Sequence, residues 1–448
     1  MKHAPHSSWT RRSPWTLIAL SAALVVLWGQ SALESRPLAP EVPHPSNPAA
    51  PTVTVDPSAT RKVCQVTGEV DRQTGRRTVN ATESNYRFWG TDLGASFQHD
   101  GKLVFLFGDT HVAPGLQRAH DRDLVALSDD TDPEDCLSLS IGKEEDGGFR
   151  PLNIPTVDGG AFSVPTGGFS ANGKMYVYAS TDSAPGKPMA RTVLAASSNG
   201  GRDFERLYDV STEKFINVAP VTVEPGHVAG LPTAGRGVLL WGSGTYRRSD
   251  THLAYLPADA AEDRSQMRYF AGTDPVTGTP QWSHAEADAK PLLQQACVGE
   301  LSVAWNPYLN RWTMLYNCED GQGGARARSR ILVRTAEQPW GPWSEPQALF
   351  DAERDGGYCA FMHTGPGVHL VAGGGAPCPA VGDPHNLQTA GDPYAPYVIA
   401  PFTRGVPGSH SDIYFLMSTW NPYTVVLMKA TLRLDGRPAV HTAQWQPG

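Results

Sequence analysis

The sequence predicts an all-β chain folded as a five-bladed β-propeller. The main observation is a recurring pattern: a polar turn containing Gly or Asn, then a short apolar run that ends in small or polar residues. It appears as DGKLVFLFGD (100–109), ANGKMYVYASTD (171–182), GRGVLLWGSG (235–244), NRWTMLYNCED (310–320) and SDIYFLMSTW (411–420). These runs recur at irregular intervals of roughly 65 to 100 residues, as blades with long loops would, and long helical periodicity is absent. The composition agrees: 45 Gly and 38 Pro are spread along the chain, as many tight turns require, and 12 Trp offer flat faces for sugar rings. A β-sandwich, the main rival, would space its strands evenly and at shorter intervals.

Within each repeat a second β-rich run follows the first, for example TVLAASSNGG (192–201) and RILVRTAE (330–337). A third run precedes several of them, as in FSVPTGGF, INVAPVTV and LSVAWNP. Ser197 to Phe204 reads S-x-N-x-G-x-x-F, similar to the Asp-box turn of sialidase-type blades with Asn in the Asp position. WGPWSEP (340–346) is expected at an equivalent blade edge.

The N-terminal region reads as an export element. Arg11 and Arg12 precede a largely apolar run from Trp15 to Trp28, the length of a signal-peptide core. Carried on through Leu33, the run would serve as a single uncleaved anchor. Residues 1–34 are therefore assigned as signal peptide or membrane anchor, 35–62 as a Pro-rich linker, and 63–448 as the propeller domain. Either reading places the domain outside the cytoplasm: secreted, periplasmic or anchored and facing outward. All six cysteines follow the apolar run, and an even count in an exported chain reads as disulfides. Sequential pairing is favoured, since 297/318 and 359/378 would each span one hairpin. No C-x-x-C spacing marks a zinc site.

With a net charge of -8, nothing in the composition points to a nucleic-acid footprint. No nucleophile elbow, phosphate loop, H-E-x-x-H helix or EF-hand loop is present. The acidic stretch SDDTDPEDC (128–136) reads as a solvated loop, with Ca²⁺ as its other reading. Asn80-Ala81-Thr82 matches the N-glycosylation pattern, a match common by chance.

The strongest chemical signal is FWGTDLGASFQHDGKLVFLFGDTH (88–111). Asp92 and Asp109 bracket a turn and an apolar strand, where they would project from a sheet rim. Two carboxylates on rigid strand ends are what glycoside cleavage uses, one as acid and one as nucleophile or base. Asx turns would place aspartates there too. Glu300, just before the apolar run LSVAW, is a third candidate, as acid or as modulator of the other two. Substrate-binding candidates come from the same kinds of positions: Trp89; Tyr246, Arg247 and Arg248 in GSGTYRRSD; His363 in CAFMH; and Trp420, Asn421 and Tyr423 in STWNPYTV. No cofactor is called for; should a metal sit at the propeller centre, His363 is its candidate ligand.

TDLG, LFGDT, GSGTYRRS, GELSVAWNP and STWNPYTV, in this order, resemble the family formerly called domain of unknown function 4185. Its members include bacterial endo-D-arabinanases grouped as glycoside hydrolase family 183. The resemblance implies a five-bladed propeller that cleaves internal α-D-arabinofuranosidic linkages of arabinogalactan or lipoarabinomannan. It also implies catalytic roles for Asp92 and Asp109, with Glu300 third. The polysaccharide is the expected partner, and a monomer the expected state. A non-catalytic glycan-binding propeller, or a glycosidase of another specificity such as a sialidase or L-arabinanase, would use a similar lining.

Overall fold

The computed structural model describes residues 51–113, 122–157, 162–183, 187–319, 329–358, 360–363, 381 and 391–435. Their strands form five antiparallel sheets. The chain enters through β1 (Thr52–Gln65). Blade one follows with β2 (Phe88–His99), β3 (Lys102–Val112), β4 (Arg122–Ser128) and β5 (Ser140–Ile141). Blade two holds β6 (Pro165–Ala171), β7 (Lys174–Thr181), β8 (Arg191–Ser197) and β9 (Glu205–Ser211). Blade three holds β10 (Asn217–Val223), β11 (Gly237–Ser243), β12 (Thr251–Pro257), β13 (Arg268–Thr273) and β14 (Pro280–Ser283). Blade four holds β15 (Leu301–Asn306), β16 (Arg311–Glu319), β17 (Ser329–Ala336) and β18 (Gln347–Phe350). Blade five holds β19 (Pro393–Val398), β20 (Arg404–Val406), β21 (His410–Thr419) and β22 (Thr424–Asp435). The innermost strands β2, β6, β10, β15 and β19 neighbour one another in a ring, so the architecture is the expected five-bladed propeller.

The unbroken apolar runs have a physical reason. Each is the second strand of its blade and is covered on both faces, so alternate residues enter different cores. In β3, Leu103, Phe105 and Phe107 pack between blades five and one, while Val104 and Leu106 pack between blades one and two. In β11, Val238 and Leu240 face blade two, and Leu239 and Trp241 face blade four. Five such interblade cores replace a single central one.

Tight hairpins link the first two strands of a blade. Asp100 and Gly101 in blade one, and Asn172 and Gly173 in blade two, all have positive φ, as a two-residue primed turn demands. The Asp-box-like turn joins β8 to β9: Asn199 Oδ1 accepts the Asp203 N–H, and Ser197 Oγ accepts the Gly201 N–H, each at 3.0 Å. Asn therefore serves in the Asp position, because only an acceptor oxygen is needed. Near the axis, space is scarce; a Cβ on Gly167 would lie 2.6 Å from the Val218 carbonyl oxygen.

The expected start of the domain near Val63 is corrected. β1 begins at Thr52 and runs antiparallel to β22, forming the outermost strand of blade five, so the last part of the expected 35–62 linker is sheet. Its apolar positions are few because it is an edge strand, which hid it from the sequence pattern. Cys64–Cys136 ties this strand to blade one, and Cys297–Cys318 ties the start of blade four to β16. Both are the expected sequential pairs; 359 and 378 lie outside the described residues. Two disulfides suit an oxidising compartment. Among the described residues no helix is long and apolar enough to cross a membrane; the expected export element (1–34) lies outside them.

Two weak sequence signals find structural explanations. Asn80 is buried; its side chain donates to the carbonyls of Val66 and Leu137 and accepts the Leu139 N–H, so it is not presented as a glycosylation acceptor. In the acidic stretch, Glu134 pairs with Arg61 of β1 and Lys429 of β22, which makes it a clamp across the closing sheet.

Candidate functional site

The N-terminal ends of the innermost strands open on one mouth of the propeller, and the chemistry-bearing side chains gather there. Asp92 lies in β2, where the register with β3 shifts on both sides of it and Leu93 and Gly94 take positive φ. Asp109 lies in β3 with φ 44°, inside the register shift between β3 and β4. Bulges re-aim side chains at sheet rims, and a non-glycine residue at positive φ is held there by its surroundings. Both aspartates are thus parts of irregular strands rather than of the Asp100-Gly101 turn between them.

The structure adds a fourth carboxyl that the sequence reading missed. Asp123, in β4, is buried, and its carboxylate accepts the backbone N–H of Asp109. The sequence signal was an acidic residue opening the apolar run DLVAL, the same arrangement that marked Glu300.

Asp92 is 7% exposed. Its Oδ2 accepts a 2.8 Å hydrogen bond from the Tyr394 hydroxyl of β19, and Tyr423 also donates to its carboxyl. Its Oδ1 is buried with no partner among the described residues. Burial, and then the charge on Asp109, push the Asp92 pKa well above the usual carboxylate range; the two tyrosine bonds oppose the shift and are outweighed. Asp123 is raised in the same way, by burial first and by Asp109 second.

Glu300 behaves oppositely. It precedes β15 and is 4% exposed. Arg247, in the β11–β12 connection, grips it from Nε to Oε2 at 3.2 Å and from Nη2 to Oε1 at 3.0 Å. Burial alone would raise the Glu300 pKa, but the guanidinium charge and its two bonds hold it below the ordinary value. Arg247 also lies over the rings of Tyr246, 4.8 Å from its centroid, and Tyr394, 5.2 Å from its centroid. The site therefore sets a carboxyl with a raised pKa, Asp92, against one held low, Glu300.

Aromatic rings lead outward from Asp92. Tyr423 meets His111 edge-on at 4.9 Å, His111 stacks on Trp89 at 4.9 Å, and Tyr423 meets Trp420 edge-on at 5.7 Å. Trp420 is 48% exposed, so the row reaches solvent. His111 was overlooked although it lies two residues beyond Asp109. Tyr394 was overlooked because Pro393 and Pro396 disguise β19 as a loop.

The remaining candidates are placed differently. Arg248 is exposed and is not among the groups facing the carboxylates. His363 and Asn421 are buried, and the His363 N–H bonds the Asn421 carbonyl at 2.9 Å. This bond ties the segment before β19 to the turn carrying Trp420 and Tyr423. Among the described residues no group of three His, Cys, Asp or Glu side chains is arranged to hold a metal ion. An axial cavity of about 350 Å³, lined by Phe97, Ser170, Thr222 and Trp305, opens at the opposite mouth, away from the carboxylates.

Fold and site together define a five-bladed propeller with a carboxyl-lined mouth. The family described as "Domain of unknown function (DUF4185)" matches residues 77–429, and the chain belongs to that family. It is also 26% identical over 318 residues to notoamide biosynthesis cluster protein J of Aspergillus sp. (strain MF297-2), covering 64% of this chain and 80% of that protein. Among solved structures, it matches a mutant alpha-L-arabinanase of Cellvibrio cellulosa at a TM-score of 0.39 and 11% identity, covering 77% of this chain and 92% of the other. A glycosyl hydrolase from Bacteroides ovatus matches at 0.41 and 12%, covering 85% and 92%. Similarity at this level says nothing of substrate or of residue roles.

Proposed function

We propose that the protein is an exported glycoside hydrolase cleaving internal α-D-arabinofuranosidic linkages of D-arabinan. One observation carries the reading: burial beside Asp109 pushes the Asp92 pKa well up, while the Arg247 guanidinium holds that of Glu300 below its ordinary value. Carboxyl groups whose environments drive their pKa values apart are the acid and the anion that glycoside cleavage needs. Asp92 gives its proton to the leaving glycosidic oxygen as the C–O bond breaks. Asp109 supplies the second carboxylate, as nucleophile or as base toward water. Glu300 contributes negative charge as the sugar becomes oxocarbenium-like, and the aromatic row from Tyr423 to Trp420 offers stacking faces to the chain. The motif resemblance to a family whose members include endo-D-arabinanases supports the polysaccharide as substrate.

The test is incubation of the protein with purified arabinogalactan, with products resolved by mass and chromatography. A ladder of pentose oligomers is expected. Bound glycan without release would overturn hydrolysis in favour of a glycan-binding propeller.

A further inference from the structure

The proposed acid–base pair leaves one buried carboxyl unused. Asp123 is 6% exposed, and its Oδ1 has no hydrogen-bond partner among the described residues. Its carboxyl accepts the backbone N–H of Asp109. That bond reaches Asp109 where β3 and β4 fall out of register and where φ is 44°, a left-handed conformation that a non-glycine residue keeps only when its surroundings enforce it.

We propose that Asp123 is a positioning residue that works in its neutral form, fixing the strained Asp109 backbone through the N–H bond while leaving Asp109 as the charged member of the pair. The inference rests on the hydrolase reading for its kinetic arm only. The groups acting on Asp123 are Asp109, Asp92 and the neighbouring Arg122. Two of the three are acidic, and like charges this close resist joint ionisation. The raised pKa of Asp123 is the expected result of that crowding and of its burial. An ionised Asp123 would repel the carboxylate it positions; a protonated one does not, and still accepts the Asp109 N–H.

Asp123→Asn and Asp123→Ala separate this role from a charged one. Asn keeps a neutral acceptor in place, so Asp123→Asn should retain turnover within a few-fold of the parent. Asp123→Ala removes the acceptor and lets Asp109 relax, and should lower kcat about 100-fold with KM little changed, the loss typical of a misplaced reacting group. Equal losses in both variants, or full turnover in Asp123→Ala, would overturn the proposal. A substrate-free measurement keeps the inference apart from the hydrolase reading. The infrared spectrum of the resting protein at neutral pH should show a protonated-carboxyl C=O band that Asp123→Asn removes, whatever glycan is cleaved. Absence of that band difference would also overturn it, and thermal melts of both variants identify any that fail to fold.

Discussion

Arg247 and Glu300 form a bidentate pair that joins blade three to blade four at the rim of the mouth. The glutamate side chain is 5% exposed and the arginine 23%. Removing one partner of such a pair strands a charge in a poorly solvated place. Arg247→Met should therefore lower unfolding free energy by about 3 kcal/mol, measured by urea denaturation, and should raise the Glu300 pKa. The double variant Arg247→Met with Glu300→Gln should recover most of the stability and none of the activity. Full activity in the double variant would remove the pair from the mechanism.

Asp92→Asn should abolish hydrolysis, since a general acid contributes on the order of 10²–10⁴ in rate, without destabilising the fold at neutral pH. The sign follows from proton uptake. Above about pH 4 the unfolded chain has an ionised Asp92, whereas the folded chain keeps the proton. Folding then takes up a proton, and stability falls as pH rises until Asp92 ionises in the folded state as well. Each such group contributes up to about 1.4 kcal/mol per pH unit. Asn takes up no proton, so the variant's stability should decline less with pH than the parent's. A variant that melts far below the parent at neutral pH would contradict this.

Tyr394→Phe removes the hydroxyl donating to Asp92 Oδ2. That bond favours the ionised carboxylate, so its loss should raise the Asp92 pKa further and move the alkaline limb of the pH–rate profile upward. An unchanged limb would mean that Asp92 does not set it.

A chain beginning at Val63 loses most of β1 and uncovers β22 along its length. It should melt well below a chain beginning at Pro51 and self-associate in size-exclusion chromatography, because an open, apolar strand edge pairs with other chains. Equal melting temperatures would show that the closing strand is dispensable.

The propeller was legible because its five second strands are covered on both faces and therefore read as unbroken apolar runs, Leu103 to Phe107 being the clearest. Two strands were hidden: β1, an edge strand, passed for linker, and the fully buried β19 was masked by Pro393 and Pro396. Asp92, Asp109, Glu300 and Arg247 could be singled out because acidic or basic residues abut apolar runs or turn signals. Their pairing could not, since Arg247 meets Glu300 only through the approach of two blades. Asp123 carried the same signal as Glu300 and was passed over. The exposed position of Arg248 beside the partly buried Arg247 depends on one residue's backbone direction, with Arg247 at φ 53°, and side-chain chemistry alone does not reveal it.

The bond between Tyr394 and Asp92 spans 302 residues of chain. The proposed acid is made early in synthesis and the hydroxyl that orients it very late, with Arg247 and Glu300 between them. Contacts of such long sequence range form slowly, because loop closure must precede any reward. A ribosome-bound chain thus carries all three blade-one carboxyls before the Tyr394 hydroxyl exists to meet them. The mouth is complete only once the last blade has closed on the first, so the order of the chain sets the order in which its parts can meet.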